Sequence, residues 1–484
     1  MLALEKRGID TMVNKSNQEL FARDEDNLFK VFLDAPFLRS GDTKFFESPV
    51  QTMLELIITP QCNQKCEYCY ITQHGHDLYP ASVRADNPTT ISNLKMIMDY
   101  FVYKKGYLFK TYQLFAGDMF STGLFFDTIE TLYPYFEYMF DKAPELFKRG
   151  KDERIIIIPC NMRFVTDDEV TVKVLDWVKK YEDVNIRLVF SWSHDGKYST
   201  DVREKTELTD EFYDKVFNFL KQTHGGIHPM ISYEGIDNVK DNFDWWIEMY
   251  EKYFPERVEI GDYMPIPLEV RNNGWNDETI TKYLDYLRHR LEKIFDMHDN
   301  DLEEVARYLF HKGKYPNLPE YDHFDCICTA PVVNNTMSCA MQKSIVIRVS
   351  DMAVVPCHRL TYHQFIGGWL VPNEEKTVIE KEKANNIGQL IDIKSHQVDL
   401  APECCICWNN YNCFHGCLGS QFEWSGELYL PVKSVCKLQK AKTSFILKML
   451  VDTGVLRSAF DQGIVADDHR AHLMKLCRKL GYEI

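Results

Sequence analysis

From Met53 onward, apolar and β-branched runs alternate with amphipathic segments, and the alternation recurs about six times. The strand candidates are residues 54–59, 111–115, 154–158, 186–190, 227–232 and 257–260. Their near-continuous hydrophobicity suits strands buried on both faces of a parallel sheet. The gaps read as helices. Ile91, Leu94, Ile97, Met98 and Phe101 recur at helical spacing behind Pro88. Thr166 and Glu169 have capping-box spacing ahead of Val170, Val174, Trp177, Val178 and Tyr181. Phe243, Trp246, Ile247 and Tyr250 mark a further helix, and residues 278–295 and 437–450 two more. Strand–helix alternation implies βαβ units with right-handed crossovers. Six units are fewer than the eight of a complete barrel. The simplest reading is an α/β fold with a partial (β/α)6 barrel. An open doubly wound sheet is the alternative, and periodicity alone does not separate the two.

Composition narrows the function classes. The chain has 484 residues with 72 acidic and 56 basic side chains, a formal charge of −16. Phosphate binding relies on clustered Lys and Arg, so this balance argues against a nucleic-acid binder. The longest purely aliphatic run is residues 155–158, far short of the roughly 20 apolar residues of a membrane helix. The first stretch carries Glu5, Asp10, Glu19, Asp24, Glu25 and Asp26 and no apolar core, so it does not read as a secretory signal. A cytoplasmic location is expected, with no membrane partner.

Fifteen cysteines, an odd number, make a disulfide framework an unattractive reading and a reduced compartment the expected one. They are clustered, which points to metal. Cys62, Cys66 and Cys69 follow the first strand candidate, where a parallel α/β fold carries its ligand chemistry. A structural zinc site takes four ligands, and no nearby fourth Cys or His completes this set. A cubane iron–sulfur cluster held by three cysteines keeps one iron open.

The Cys-x3-Cys-x2-Cys spacing, the aromatic Tyr68 before its last cysteine and its place after strand one resemble the radical S-adenosylmethionine (SAM) superfamily. The resemblance implies a [4Fe–4S] cluster whose open iron binds the amino and carboxylate groups of SAM. It further implies reductive cleavage of SAM to a 5′-deoxyadenosyl radical that abstracts a substrate hydrogen. Where the family often has Gly-Gly-Glu-Pro after strand two, this chain reads Ala116-Gly117-Asp118-Met119. The resemblance casts Asp118 as an acceptor for the SAM amino group and Gly117 as a point of close backbone approach. Ser193, Asp195, Gly196 and Arg203 resemble a Ser-x-Asp-Gly…Arg pattern, which implies SAM contacts by Ser193 and Arg203. An ordinary turn is the other reading of Asp195-Gly196.

Cys404, Cys407, Cys413, Cys417 and Cys436, with Cys339 and Cys357 upstream, resemble the SPASM domain of peptide- and protein-modifying members of that superfamily. Val355-Pro-Cys-His358 and Cys413-Phe-His-Gly-Cys417 agree with the pattern. Met352 departs from it, standing where the family places glycine. The resemblance implies two auxiliary [4Fe–4S] clusters. Cys404, Cys407, Cys413 and Cys436 would hold one. Cys339, Cys357, Cys417 and either Cys328 or Cys326 would hold the other. Two structural zinc sites are the competing reading.

The expected domains are an N-terminal extension (1–52), the partial barrel (53–275), a helical linker (276–325), the SPASM domain (326–436) and a helical tail (437–484). Cys160 could donate a hydrogen atom to a product radical, or could be a buried small hydrophobe. His358 is a base candidate with a structural alternative. The resemblance implies a peptide or protein substrate, an external electron donor such as flavodoxin or ferredoxin, and room for a separate leader-binding protein. A small-molecule substrate and a non-catalytic zinc scaffold are the alternatives.

Overall fold

The computed structural model describes residues 53–66, 69–147, 154–198, 208–223, 225–227, 229–231, 233–255, 268–269, 274–310, 344–394, 402–413 and 417–484. The extension 1–52, the strand candidate 257–260, Tyr68, Arg203, Cys326, Cys328 and Cys339 lie outside them. The chain divides into two compact units. One comprises Met1–Ser193, Glu207–Ile227 and Cys339–His396; the other comprises His194–Thr206, His228–Ser338 and Gln397–Ile484.

In the first unit, β1 (Met53–Thr59), β2 (Thr111–Ala116), β3 (Arg154–Cys160), β4 (Ile186–Trp192) and β5 (Gly226–Ile227) lie side by side in chain order. Every neighbouring pair among them is parallel. A doubly wound sheet reverses its order at a switch point. No reversal occurs between β1 and β5, so the strands wind one way, as in a barrel. The expected strand at 227–232 is interrupted. It appears as β5 and, in the second unit, β6 (Met230–Ile231), which pairs in parallel with β7 (Leu268–Glu269).

Sequence periodicity did not anticipate the other edge of β1. There β8 (Ser344–Arg348) pairs in parallel, from Met53↔Ser344 to Ile57↔Arg348. The antiparallel strands β9 (Ala353–Val355), β10 (Gly368–Pro372) and β11 (Ile379–Ala384) extend the sheet to nine strands among the described residues. All five residues of β8 are buried, which suits an interior position. Met352 turns the chain from β8 into β9 with φ of +55°. That left-handed conformation costs a non-glycine residue about 1 kcal/mol, so glycine would be favoured at this position. Arg348 braces the same turn with two 2.8 Å hydrogen bonds to the Asp351 carboxylate.

Alternation assigns the two faces of the parallel strands. Leu54, Leu56, Tyr112, Leu114, Ile156, Ile158, Leu188 and Phe190 are buried on the face that meets the helices. There the Tyr112 ring lies 4.8 Å from Phe136 of helix Leu124–Lys142. Phe190 lies 5.0 Å from Phe219 of helix Asp210–Thr223. Each such large buried side chain contributes roughly 1.5–3 kcal/mol. Glu55, Gln113, Phe115, Ile157 and Ser191 occupy the opposite face, by register and parity.

The helix after β3 spans Asp168–Asp183, and its cap corrects the expected Thr166–Glu169 box. The N-cap is Asp167, whose carboxylate accepts from the backbone N–H of Glu169 and Val170. Thr166 instead donates its hydroxyl to the Arg163 carbonyl. A carboxylate one residue later is the better acceptor for two orphan N–H groups.

In the second unit, helices Asp277–Met297 and Lys433–Asp452 cover the expected segments with longer ends. Trp245, Trp246 and Tyr250 of helix Val239–Tyr253 are buried core residues. Among the described residues no helix is long and apolar enough to cross a membrane.

Candidate active site

The first cysteine loop leaves β1 at Thr59 and ends at Cys69, the N-cap of helix Tyr70–Leu78. Two local bonds shape it. The Cys69 N–H donates to the Cys66 carbonyl at 3.1 Å. The Gln64 N–H donates to the Cys62 sulfur at 3.3 Å, the kind of bond that stabilises a thiolate ligand. Cys62 is exposed as a residue, but partial desolvation of its sulfur raises the thiol against that bond, with Asp118, Cys66 and Cys69 as further raising charges.

The end of β2 is pressed against this loop. Gly117 donates its N–H to the Thr59 carbonyl at 2.7 Å, and Asp118 donates to Gln61 at 2.8 Å. A Cβ at Gly117 would lie 1.7 Å from the Gln61 carbonyl oxygen. The close approach that this glycine permits is thus to the chain's own cysteine loop. The Asp118 side chain is buried, with one carboxylate oxygen accepting from Ser121 N–H (2.9 Å) and the other from Asn161 N–H (3.1 Å). It ties the ends of β2 and β3 together. Asn63, Asp118, Phe120, Ser121, Asn161 and Phe164 contribute to the lining of a cavity of about 320 Å³ beside the loop.

Asn161 was not singled out by sequence reasoning. Its carboxamide oxygen accepts from Arg163 N–H at 3.0 Å, and its Nδ2 donates to Asn63 Oδ1 at 2.7 Å. A lone Asn after a strand carries no spacing signal, and only the approach of two loops reveals it.

Cys160 pairs in register with Trp192, whose ring packs 5.9 Å from Phe217 of helix Asp210–Thr223. Its thiol is therefore on the helix side of the sheet, buried, 3.5 Å from the Met162 sulfur. Burial first, and the Asp118 charge second, hold this thiol protonated. Ser193 continues β4 on the opposite face, and its N–H donates to the Cys160 carbonyl at 3.3 Å. Asp195 and Gly196 dock on helix Val239–Tyr253. Trp246 donates to the Asp195 carbonyl at 3.2 Å, and a Cβ at Gly196 would strike Asn242.

Cys357 follows β9, and the next residue turns onto the inward face. His358 stacks on Phe115 with ring centroids 3.9 Å apart, and its Nδ1 donates to the Glu55 carboxylate at 2.8 Å.

In the second unit, Cys404, Cys413, Cys417 and Cys436 line one cavity together with Gln421, Val432 and Gln439. Cys407 is close by: its N–H donates to the Cys404 carbonyl, and its charge helps to raise Cys436, after burial and against Lys440. Cys417 thus shares a cavity with three of the four cysteines expected to hold the other cluster. Four thiol side chains around one cavity fit a thiolate-bound inorganic core. The loop at the end of β1 carries three free thiols, the same kind of donor. Among the described residues, no three His, Cys, Asp or Glu side chains converge tightly enough for a single metal ion.

No family model matches the chain, and no curated protein does. Solved structures are similar to it. One is described as native anSMEcpe with bound AdoMet, at 14% identity, TM-score 0.46, covering 83% of this chain and 98% of that one. Another is Streptococcus suis SuiB bound to S-adenosylmethionine, at 12% identity, TM-score 0.33, covering 80% of this chain and 76% of that one. A third is SuiB bound to its precursor peptide SuiA, at 9% identity, TM-score 0.32, with the same coverage. At these values the functional reading rests on the residues.

Proposed function

We propose that the chain is a radical SAM enzyme that modifies a peptide or protein substrate, with auxiliary clusters in a SPASM-like region. The observation that carries this reading is the three-cysteine loop at the C-terminal end of β1, tied by backbone bonds to the end of β2. Cys62, Cys66 and Cys69 would hold a cluster with one open iron, which supplies the one-electron reduction that cleaves SAM. Cys404, Cys407, Cys413 and Cys436 would hold an auxiliary cluster. Cys339, Cys357 and Cys417, with Cys328 or Cys326, would serve the other. Asp118 would accept from the SAM amino group, since one bond to each oxygen leaves a further lone pair on each. It also holds Ser121 and Asn161, so that the loop ends beside the cluster are preorganised. Ser193 and Arg203 remain the proposed SAM contacts from the fourth βα connection. The inward face of the sheet, with Phe115 and the His358–Glu55 pair, offers the substrate an apolar wall and one polar group. An external reductant such as flavodoxin or ferredoxin would supply electrons, and a separate protein could deliver the leader.

The peptide class draws on the SPASM-like cysteine spacing. SuiB, to which the chain is similar, is known bound to a precursor peptide. The test is anaerobic purification followed by incubation with dithionite, SAM and candidate peptides. A brown protein with about 11–12 Fe that releases 5′-deoxyadenosine and changes a peptide's mass is expected. Replacing Cys62, Cys66 and Cys69 together with Ala should abolish SAM cleavage. Cys404→Ala should spare SAM cleavage more than product formation. A colourless, zinc-rich protein inert toward SAM would sink the proposal.

A further inference from the structure

Asn63 lies between the first two cysteines of the loop, and Asn161 follows β3, 98 residues later in the chain. The side chain of Asn161 bridges them at 2.7 Å. Its orientation is set by chemistry. The Arg163 backbone N–H can only donate, so the carboxamide oxygen of Asn161 must face it, which leaves the NH2 group for Asn63. The Asn161 backbone N–H is used as well, on buried Asp118. One residue thus joins the connections that follow β1, β2 and β3, with every polar group of its side chain assigned. Asn63 Oδ1 also lies 3.9 Å from the Cys62 thiol.

We infer that Asn161 is a positioning residue for the segment 62–66, holding Cys62 in place for its cluster through Asn63. The inference rests on the proposed function, because it concerns how the loop grips a cluster. Nothing in it requires Asn161 to touch SAM or substrate. The tie is a single neutral hydrogen bond to an exposed loop residue, so its loss should loosen the loop without unfolding the sheet.

The test uses the full chain, reconstituted anaerobically, with iron release to a chelator followed over time. The iron held at 62, 66 and 69 is defined as the difference between wild type and the Cys62→Ala/Cys66→Ala/Cys69→Ala variant. Asn63→Ala and Asn161→Ala should each speed release of that iron by about five- to tenfold, the worth of one hydrogen bond. The iron retained in the triple-cysteine variant, and the thermal midpoint of Asn63→Ala, should not change. Asn63→Gln keeps a neutral carboxamide acceptor for the Asn161 NH2 and should release iron closer to the wild-type rate than Asn63→Ala does. Wild-type release in both alanine variants, or release in Asn63→Gln as fast as in Asn63→Ala, overturns the inference. If wild type and the triple-cysteine variant bind equal iron, the proposed function itself fails, which is a different result. Asn63 is exposed, so its variants keep the test valid even if Asn161→Ala does not fold.

Discussion

His358 donates its Nδ1–H to Glu55 across 303 residues of sequence, at 2.8 Å, while its ring lies flat on Phe115. Glu55 is only 4% exposed, so this bond is the acid's main compensation for burial. Glu55→Ala should destabilise the chain by about 1–3 kcal/mol, because it removes a charge-assisted bond and leaves a gap on β1. Glu55→Gln keeps an acceptor for Nδ1–H and should cost less. Urea unfolding of both variants checks the order. Equal costs would show that the hydrogen bond contributes nothing beyond volume.

Gly117 is confined by backbone rather than by a flexible side chain. Gly117→Ala must push the end of β2 away from Gln61 and break the 2.7 Å bond to Thr59. The expected cost is above about 2 kcal/mol, from overpacking and a lost hydrogen bond. If the proposed function holds, iron bound at Cys62, Cys66 and Cys69 should fall with it. Wild-type stability in this variant would contradict the packing described.

The helix Asp168–Asp183 provides a local test of the corrected cap. Asp167→Ala should lose about 1 kcal/mol, the usual worth of an N-cap. Thr166→Ala should cost no more than its single bond to Arg163. A larger loss at Thr166 than at Asp167 in chemical denaturation would restore the expectation from spacing.

Cys477 is buried in helix Asp467–Leu480, and burial pushes its thiol up from 9.0 to about 11. A raised thiol pKa means that the native state holds its proton where the unfolded state has released it. Stability should therefore be complete below about pH 9 and decline as pH rises toward about 11. Cys477→Ala should flatten this part of the profile, beyond a roughly constant loss for the vacated volume. An unchanged slope would show that other groups set the alkaline limb.

Much of the fold is written in local pattern. The buried runs at β1 to β4 were legible because a strand covered on both faces must be apolar along its length. The amphipathic helices between them were legible because one stripe must meet that sheet. The cysteine loop was legible because three thiols in eight positions have few structural uses. The winding direction was not legible, since periodicity is the same for a barrel and a doubly wound sheet. Nor was the pairing of β8 with β1, because a parallel partner distant in sequence leaves no trace in either strand's composition.

The candidate site divides the same way. Sequence alone determined which cysteines cluster and where the loop stands relative to the first strand. The tertiary structure decided what holds that loop: the backbone of Gly117 against Gln61, the carboxylate of Asp118 and the amide of Asn161. It also put Cys160 on the helix side of the sheet and His358 on the other, beside Glu55. Spacing is a property of the chain and can be read along it. Hydrogen bonds between connections that follow different strands depend on how those strands register, and that is settled only when the sheet forms.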